Sequence, residues 1–179
     1  MNELELIRSQ LSAERRHAAA VADAGSMVFA APGAVGALEE FRQACVDYLV
    51  CVLAWFEERD RRLAQLTHSW APAHPARSAL DEVLARPGRS REALEKLEAA
   101  LGSGAVADWR EFAQFFHGLW STRRDALEAL LNANARVGDW RTLAGIDADT
   151  ILEERTRYAR VRALSPAGAR LAAEVLPAS

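Results

Sequence analysis

Apolar residues recur at intervals of three and four along most of the chain, the spacing of helices that bury one face. Over 3–30 the stripe is Leu4, Ile7, Leu11, Ala18 and Val21. Over 34–67 it is Cys45, Leu49, Val52, Phe56, Leu63 and Leu66, and over 105–134 Phe112, Phe116, Leu119, Leu127 and Leu130. A fourth stripe over 147–163 holds Ile151, Leu152, Tyr158 and Val161. Breakers separate these runs. Pro32 and Gly33 must end the first helix, and Gly25 could stop it sooner.

Between the second and third runs the pattern is broken. His68–Arg77, with Pro72 and Pro75, reads as a loop. Two short helical pieces follow, at about 78–86 and 90–101, parted by Pro87 and Gly88. Ser90 has the character of an N-cap, and Gly102–Gly104 closes the second piece. Further on, Gly138 and Asp139 end the third long run before a turn through Trp140 and Leu143. Pro166 ends the fourth, and 167–176 could add a short helix. Helix formers dominate and β-branched residues are sparse. The expected architecture is an all-α single domain over 1–179: an up-down four-helix bundle with a broken-helix insertion at about 76–102.

Charged residues interrupt the stripes. Arg59 lies on the second, Arg123 on the third, Glu14 on the first between Leu11 and Ala18, and Glu154 on the last between Ile151 and Tyr158. A buried charge is very costly unless it is paired. Three arrangements satisfy that demand: a buried layer of two Arg and two Glu, arginines that snorkel to the bundle edge, or a pocket in which they hold a small anion. The layer faces a difficulty of depth, because Glu14 and Arg59 differ in height by several residues when counted from the turn at Pro32. The aromatics Trp109, Phe112, Phe115, Phe116 and Trp120 are foremost core residues. They spread over a wide front, which calls for a second packing partner, either the insertion or another subunit.

Half of the 179 residues are hydrophobic and 26% are charged, ordinary values for one globular domain. The net charge of −3 argues against nucleic acid as a partner. No apolar run is long enough to cross a membrane. Cys45 and Cys51 are poorly placed to bridge one another, and no secretory segment is evident, so a cytoplasmic protein with reduced thiols is expected. Nucleophile elbows and phosphate-cradling glycine loops are absent from the sequence. An enzyme therefore has no residue in its favour. The acids Asp147, Asp149, Glu153 and Glu154 read as favourable charge at a helix N-terminus.

Two segments resemble a known pattern. Leu119, Arg123, Arg124, Leu127 and Leu130 have the spacing His-x-x-x-Glu-Glu-x-x-Leu-x-x-Leu of the hemerythrin-like, HHE cation-binding family, and Trp55, Arg59, Asp60 and Leu63 follow the same pattern. His17 resembles the single histidine of that family's opening helix, and Asp139-Trp140 the pair that can precede its last one. The resemblance implies a four-helix fold. It also implies loss of the metal, because Trp55 and Leu119 stand at histidine positions and Arg59 and Arg123 at carboxylate positions. A small-ligand-binding or protein-interaction module able to form a homodimer is then expected, with Arg59, Arg123, Glu14, Glu154, Trp55 and Trp120 as candidate ligand-binding residues. The alternative is a di-iron type redox or sensor protein using His17 and His117 with carboxylates. Glu14 and His17 form a single Glu-x-x-His, and His68 and His74 fall in the proline-rich loop.

Overall fold

A computed structural model describes residues 3–29, 36–68, 88–132 and 148–166. Among these the chain is helical throughout: α1 (Glu3–Phe29), α2 (Ala37–His68), α3 (Arg89–Ser103), α4 (Val106–Asn132) and α5 (Ala148–Leu164). No described helix is long and apolar enough to cross a membrane. The loop at 69–77, the piece at 78–86, the turn at 138–143 and the tail at 167–176 lie outside the described residues.

Helices α1 to α4 close a ring, with α1 on α2 and α4, and α3 on those same two. Helix α5 lies against α2 and touches α1 more lightly. The segment expected as part of an insertion therefore packs into the core: Ala93, Leu97 and Ala100 of α3 are buried. It covers the wide aromatic front of α4. Phe115 lies under two cations of α3, with Arg89 Cζ and Lys96 Nζ each 5.4 Å from its ring centroid. Lys96 also bonds Glu111 across the same seam at 2.7 Å.

Local chemistry sets the helix ends. Ser90 is buried inside the first turn of α3 and is not the cap; Gly88 takes that place at φ 89°. A left-handed conformation of this kind is easy only for glycine. Gly104 ends the same helix at φ 63°, and its N–H donates to the Ala100 carbonyl at 3.1 Å, satisfying an otherwise orphaned acceptor.

The core is aromatic: Phe41, Tyr48, Phe56, Trp109, Phe112, Phe116 and Tyr158 are all essentially buried. Gly25 does not end α1, which continues to Phe29. It serves as a notch. The Trp109 indole occupies the place a side chain at Gly25 would take, and its Nε1–H donates to the Ala22 carbonyl at 2.8 Å. Alanine would gain up to about 1 kcal/mol in helix propensity. A methyl there would nonetheless overlap the buried indole, and overpacking typically costs about 1–3 kcal/mol. Gly25→Ala is therefore expected to lower the midpoint of urea denaturation; a raised midpoint would remove the notch from the account of α1–α4 packing.

Candidate functional site

The charges on the stripes meet inside the protein. Glu14, His17, Arg59 and Glu154 are all buried, at 3%, 2%, 9% and 1% exposure. Arg59 closes a two-bond fork on Glu14, with Nη1 to Oε1 at 2.7 Å and Nη2 to Oε2 at 3.0 Å. The difference in depth is real. Counted from the connection between the helices, Arg59 stands about seven residues deeper than Glu14, roughly 10 Å along the axis. Side chains lean toward the N-terminus of their own helix. Glu14 thus leans away from the connection and Arg59 toward it, so the long guanidinium arm and the shorter carboxylate converge.

Glu154 meets a different set of partners from the arginine its position suggested. Its Oε1 accepts from the Tyr48 hydroxyl at 2.7 Å and bonds His17 Nδ1 at 2.8 Å. Burial, and next the Glu154 charge, push the Tyr48 phenol well above its ordinary range, so it stays protonated and donates. With that hydroxyl donating to the carboxylate, Nδ1 is the histidine nitrogen that carries a proton. The His17 ring stacks on Tyr158 at 3.8 Å between centroids, and Tyr48 and Tyr158 meet at 5.9 Å. One carboxylate from α5 thereby ties α1 to α2. Around it α5 adds Arg157 and Arg160 on Asp47 of α2, and Arg155 on Gln10 of α1.

Of the other sequence candidates, Trp120 is buried and meets Phe56 edge-on at 4.4 Å between centroids. Trp55 is partly buried against the core. Arg123 belongs to α4, but its side chain lies outside the described residues, as do Asp147, His74, Asp139 and Trp140. The two helical histidines are not brought together. His17 is interior, whereas His117 bonds Asp23 at 2.9 Å on the exposed side of α1 and α4. Among the described residues no three His, Cys, Asp or Glu side chains converge as metal donors. The acidic group at the start of α5 is divided too: Glu153 pairs along the helix with Arg157 while Glu154 turns inward.

Four buried polar atoms of this region have no hydrogen-bond partner among the described residues: His17 Nε2, Glu154 Oε2, Arg59 Nε and Trp120 Nε1. They come from α1, α5, α2 and α4. Buried polar atoms are almost always satisfied, so these four stand out in the interior.

No family model, curated protein or solved structure matches the chain.

Sequence reasoning found Glu14, Arg59, Glu154 and Trp120 for this site, and His17 as a metal candidate. It missed Tyr48 and Tyr158 as polar partners, since tyrosine on an apolar stripe looks like plain core. Their signal was present: a buried phenol needs a partner, and Glu154 lies one turn before Tyr158.

Two outcomes follow from the site. Arg59→Met should cost about 3–5 kcal/mol, because it strands the buried Glu14 carboxylate. Glu14→Leu with Arg59→Met should recover most of that loss, since an apolar pair of similar volume can replace a buried ion pair. Urea denaturation of the two single variants and the double measures the coupling; additive losses would mean the fork contributes nothing.

The second outcome concerns pH. Burial pushes both the Cys45 and Cys51 thiols up to about 12, and the Tyr48 phenol is raised as well. Groups that hold protons more tightly when folded contribute stability below their unfolded pKa and lose it above. Stability should hold at neutral pH and fall as pH rises from about 9, the ordinary thiol value, toward 12. Thermal melts across that range test the sign, and alkylation of the native thiols at pH 8 should be slow.

Proposed function

We propose that the chain is a non-enzymatic, small-ligand-binding module shaped as a hemerythrin-like up-down four-helix bundle, with a polar layer where that family holds its metal. The observation that carries this reading is the group of four buried, unpartnered polar atoms on four helices. An interior needing only stability would close such a layer, because each orphaned group costs about 1–3 kcal/mol. A ligand that supplies the missing partners offsets that cost when it binds.

The family resemblance gains support from His17, which stands inside the protein on the opening helix, and from Arg59, which holds Glu14 at a position the pattern gives to a metal-binding carboxylate. A guanidinium there offers a metal ion no lone pair. Its own charge is matched by Glu14, so what it still offers a ligand is a directed N–H. The alternative of iron held jointly by His17 and His117 has no comparable support, because those rings bond to different partners on different faces.

Native mass spectrometry of the purified protein tests the reading. A small non-covalent adduct should accompany the 19.6 kDa chain and be lost from the folded Glu14→Leu/Arg59→Met variant. If the wild-type protein carries the bare polypeptide mass, the layer is structural and the module reading fails.

A further inference from the structure

We infer that the polar layer recognises a small molecule through a planar carboxyl-type group, a carboxylate or carboxamide, carried on a compact apolar body. The inference rests on the ligand-binding reading above and names its chemistry.

Two of the orphaned atoms leave no choice of role. Arg59 Nε and Trp120 Nε1 are both N–H groups with no capacity to accept. Whatever satisfies them must bring acceptor oxygen. They lie close in the fold: Trp120 packs edge-on against Phe56 at 4.4 Å, and Phe56 is one turn before Arg59 on α2. Two N–H donors from different helices suit an sp² oxygen, which has two lone pairs in one plane.

His17 supplies the third contact. Its Nδ1 is engaged by Glu154, so Nε2, across the ring, points away from that carboxylate. On α1 His17 is one turn from Glu14, which holds the Arg59 guanidinium. Arg59 on Glu14 and Trp120 on Phe56 are direct contacts, and one helical turn separates His17 from Glu14 and Phe56 from Arg59, so the five residues form one run across α1, α2 and α4. Nε2 can serve either member of the class. With a proton it donates to the second oxygen of a carboxylate, and without one it accepts from the N–H of a carboxamide.

The groups facing His17 are Glu14 on its own helix, Tyr48 and Arg59 from α2, and Glu154 and Tyr158 from α5. From α4, His117 meets α1 at Asp23 on the surface. Glu14 is engaged on both oxygens by Arg59, and Glu154 on Oε1 by Tyr48 and His17; the remaining Oε2 bonds neither Arg59 Nε nor Trp120 Nε1, so neither carboxylate satisfies the donors of the run. Glu154 Oε2 has no part in the proposal. The apolar body follows from the rings beside the run: Phe56 packs on Phe116 and Trp120, and His17 stacks on Tyr158.

The test is titration of the ¹⁵N-labelled protein with benzoate, benzamide and benzyl alcohol, three probes of similar size that differ in the polar group. The Trp120 indole signal is assigned by its loss in Trp120→Phe, and the Arg59 Nε–H signal by its loss in the folded Glu14→Leu/Arg59→Met double variant. Benzoate or benzamide should bind, moving both signals downfield together, and benzyl alcohol should bind about tenfold or more weakly for want of the planar oxygen. Trp120→Phe, a mild change that removes one donor, should weaken the bound probe about tenfold. Whichever of the two carbonyl probes binds identifies the source of the group.

Equal binding of benzyl alcohol would overturn the carboxyl assignment and leave the ligand-binding reading standing. Binding that leaves both N–H signals unmoved would do the same. If none of the three binds, the assignment fails, and a bare polypeptide mass in the native spectrum would then retire the ligand-binding reading separately.

Discussion

Charge that must be buried and matched is the constraint on which this fold depends. Glu14, His17, Arg59 and Glu154 sit where an ordinary helical core would place leucine. Each has a fixed partner. The fork between Arg59 and Glu14 sets the height of α1 against α2, since neither side chain reaches another opposite charge among the described residues. A slide of either helix by one turn, about 5.4 Å, would strand both charges. Apolar stripes alone tolerate such slides more readily, because leucine packs against leucine at many heights. The ion pair supplies register, and the rings around it supply most of the burial.

The second carboxylate has a different task. Glu154 is the inward charge of a helix whose other fully buried side chains are Tyr158 and Val161. So little apolar burial is a weak basis for docking. The bonds to Tyr48 and His17 and the stack of Tyr158 on His17 hold α5 in place, with surface arginines closing onto Asp47. Helix α5 is therefore attached by directional contacts more than by area. Directional contacts are lost all at once when geometry shifts, so α5 should be coupled to the state of the polar layer more tightly than α3, which adheres through Ala93, Leu97 and Ala100.

Much of this was legible in the chain. The three-four stripes located each described helix to within a few residues, because a helix packed on one face must show that period. Charges on those stripes left a buried layer, snorkelling arginines and an anion pocket all open, and Glu14 with Arg59 was named as a pair whose heights disagreed. The lean of helical side chains reconciles the heights, and spacing by itself does not contain that direction. Two other features are invisible to periodicity. Gly25 looked like a stop signal, and only the Trp109 ring, about eighty residues away in sequence, shows that it is a notch. Helix α3 looked peripheral because glycine and proline fence it, yet such breakers fix where a helix starts and say nothing of what it covers.

The same distinction bears on function. Among the described residues the buried polar groups are matched to one another before any ligand is considered. Arg59 cannot be read as a free positive charge, since Glu14 neutralises it, nor Glu154 as a free negative one, since it accepts from a phenol and an imidazole. What remains is directional: N–H groups held rigidly by packing, with their charges already balanced. A site of that kind selects by the geometry of hydrogen bonds, because a ligand lacking the matching oxygen leaves the donors unpaired at full cost. Its selectivity should therefore change little with salt, in contrast to a site built on unmatched charge.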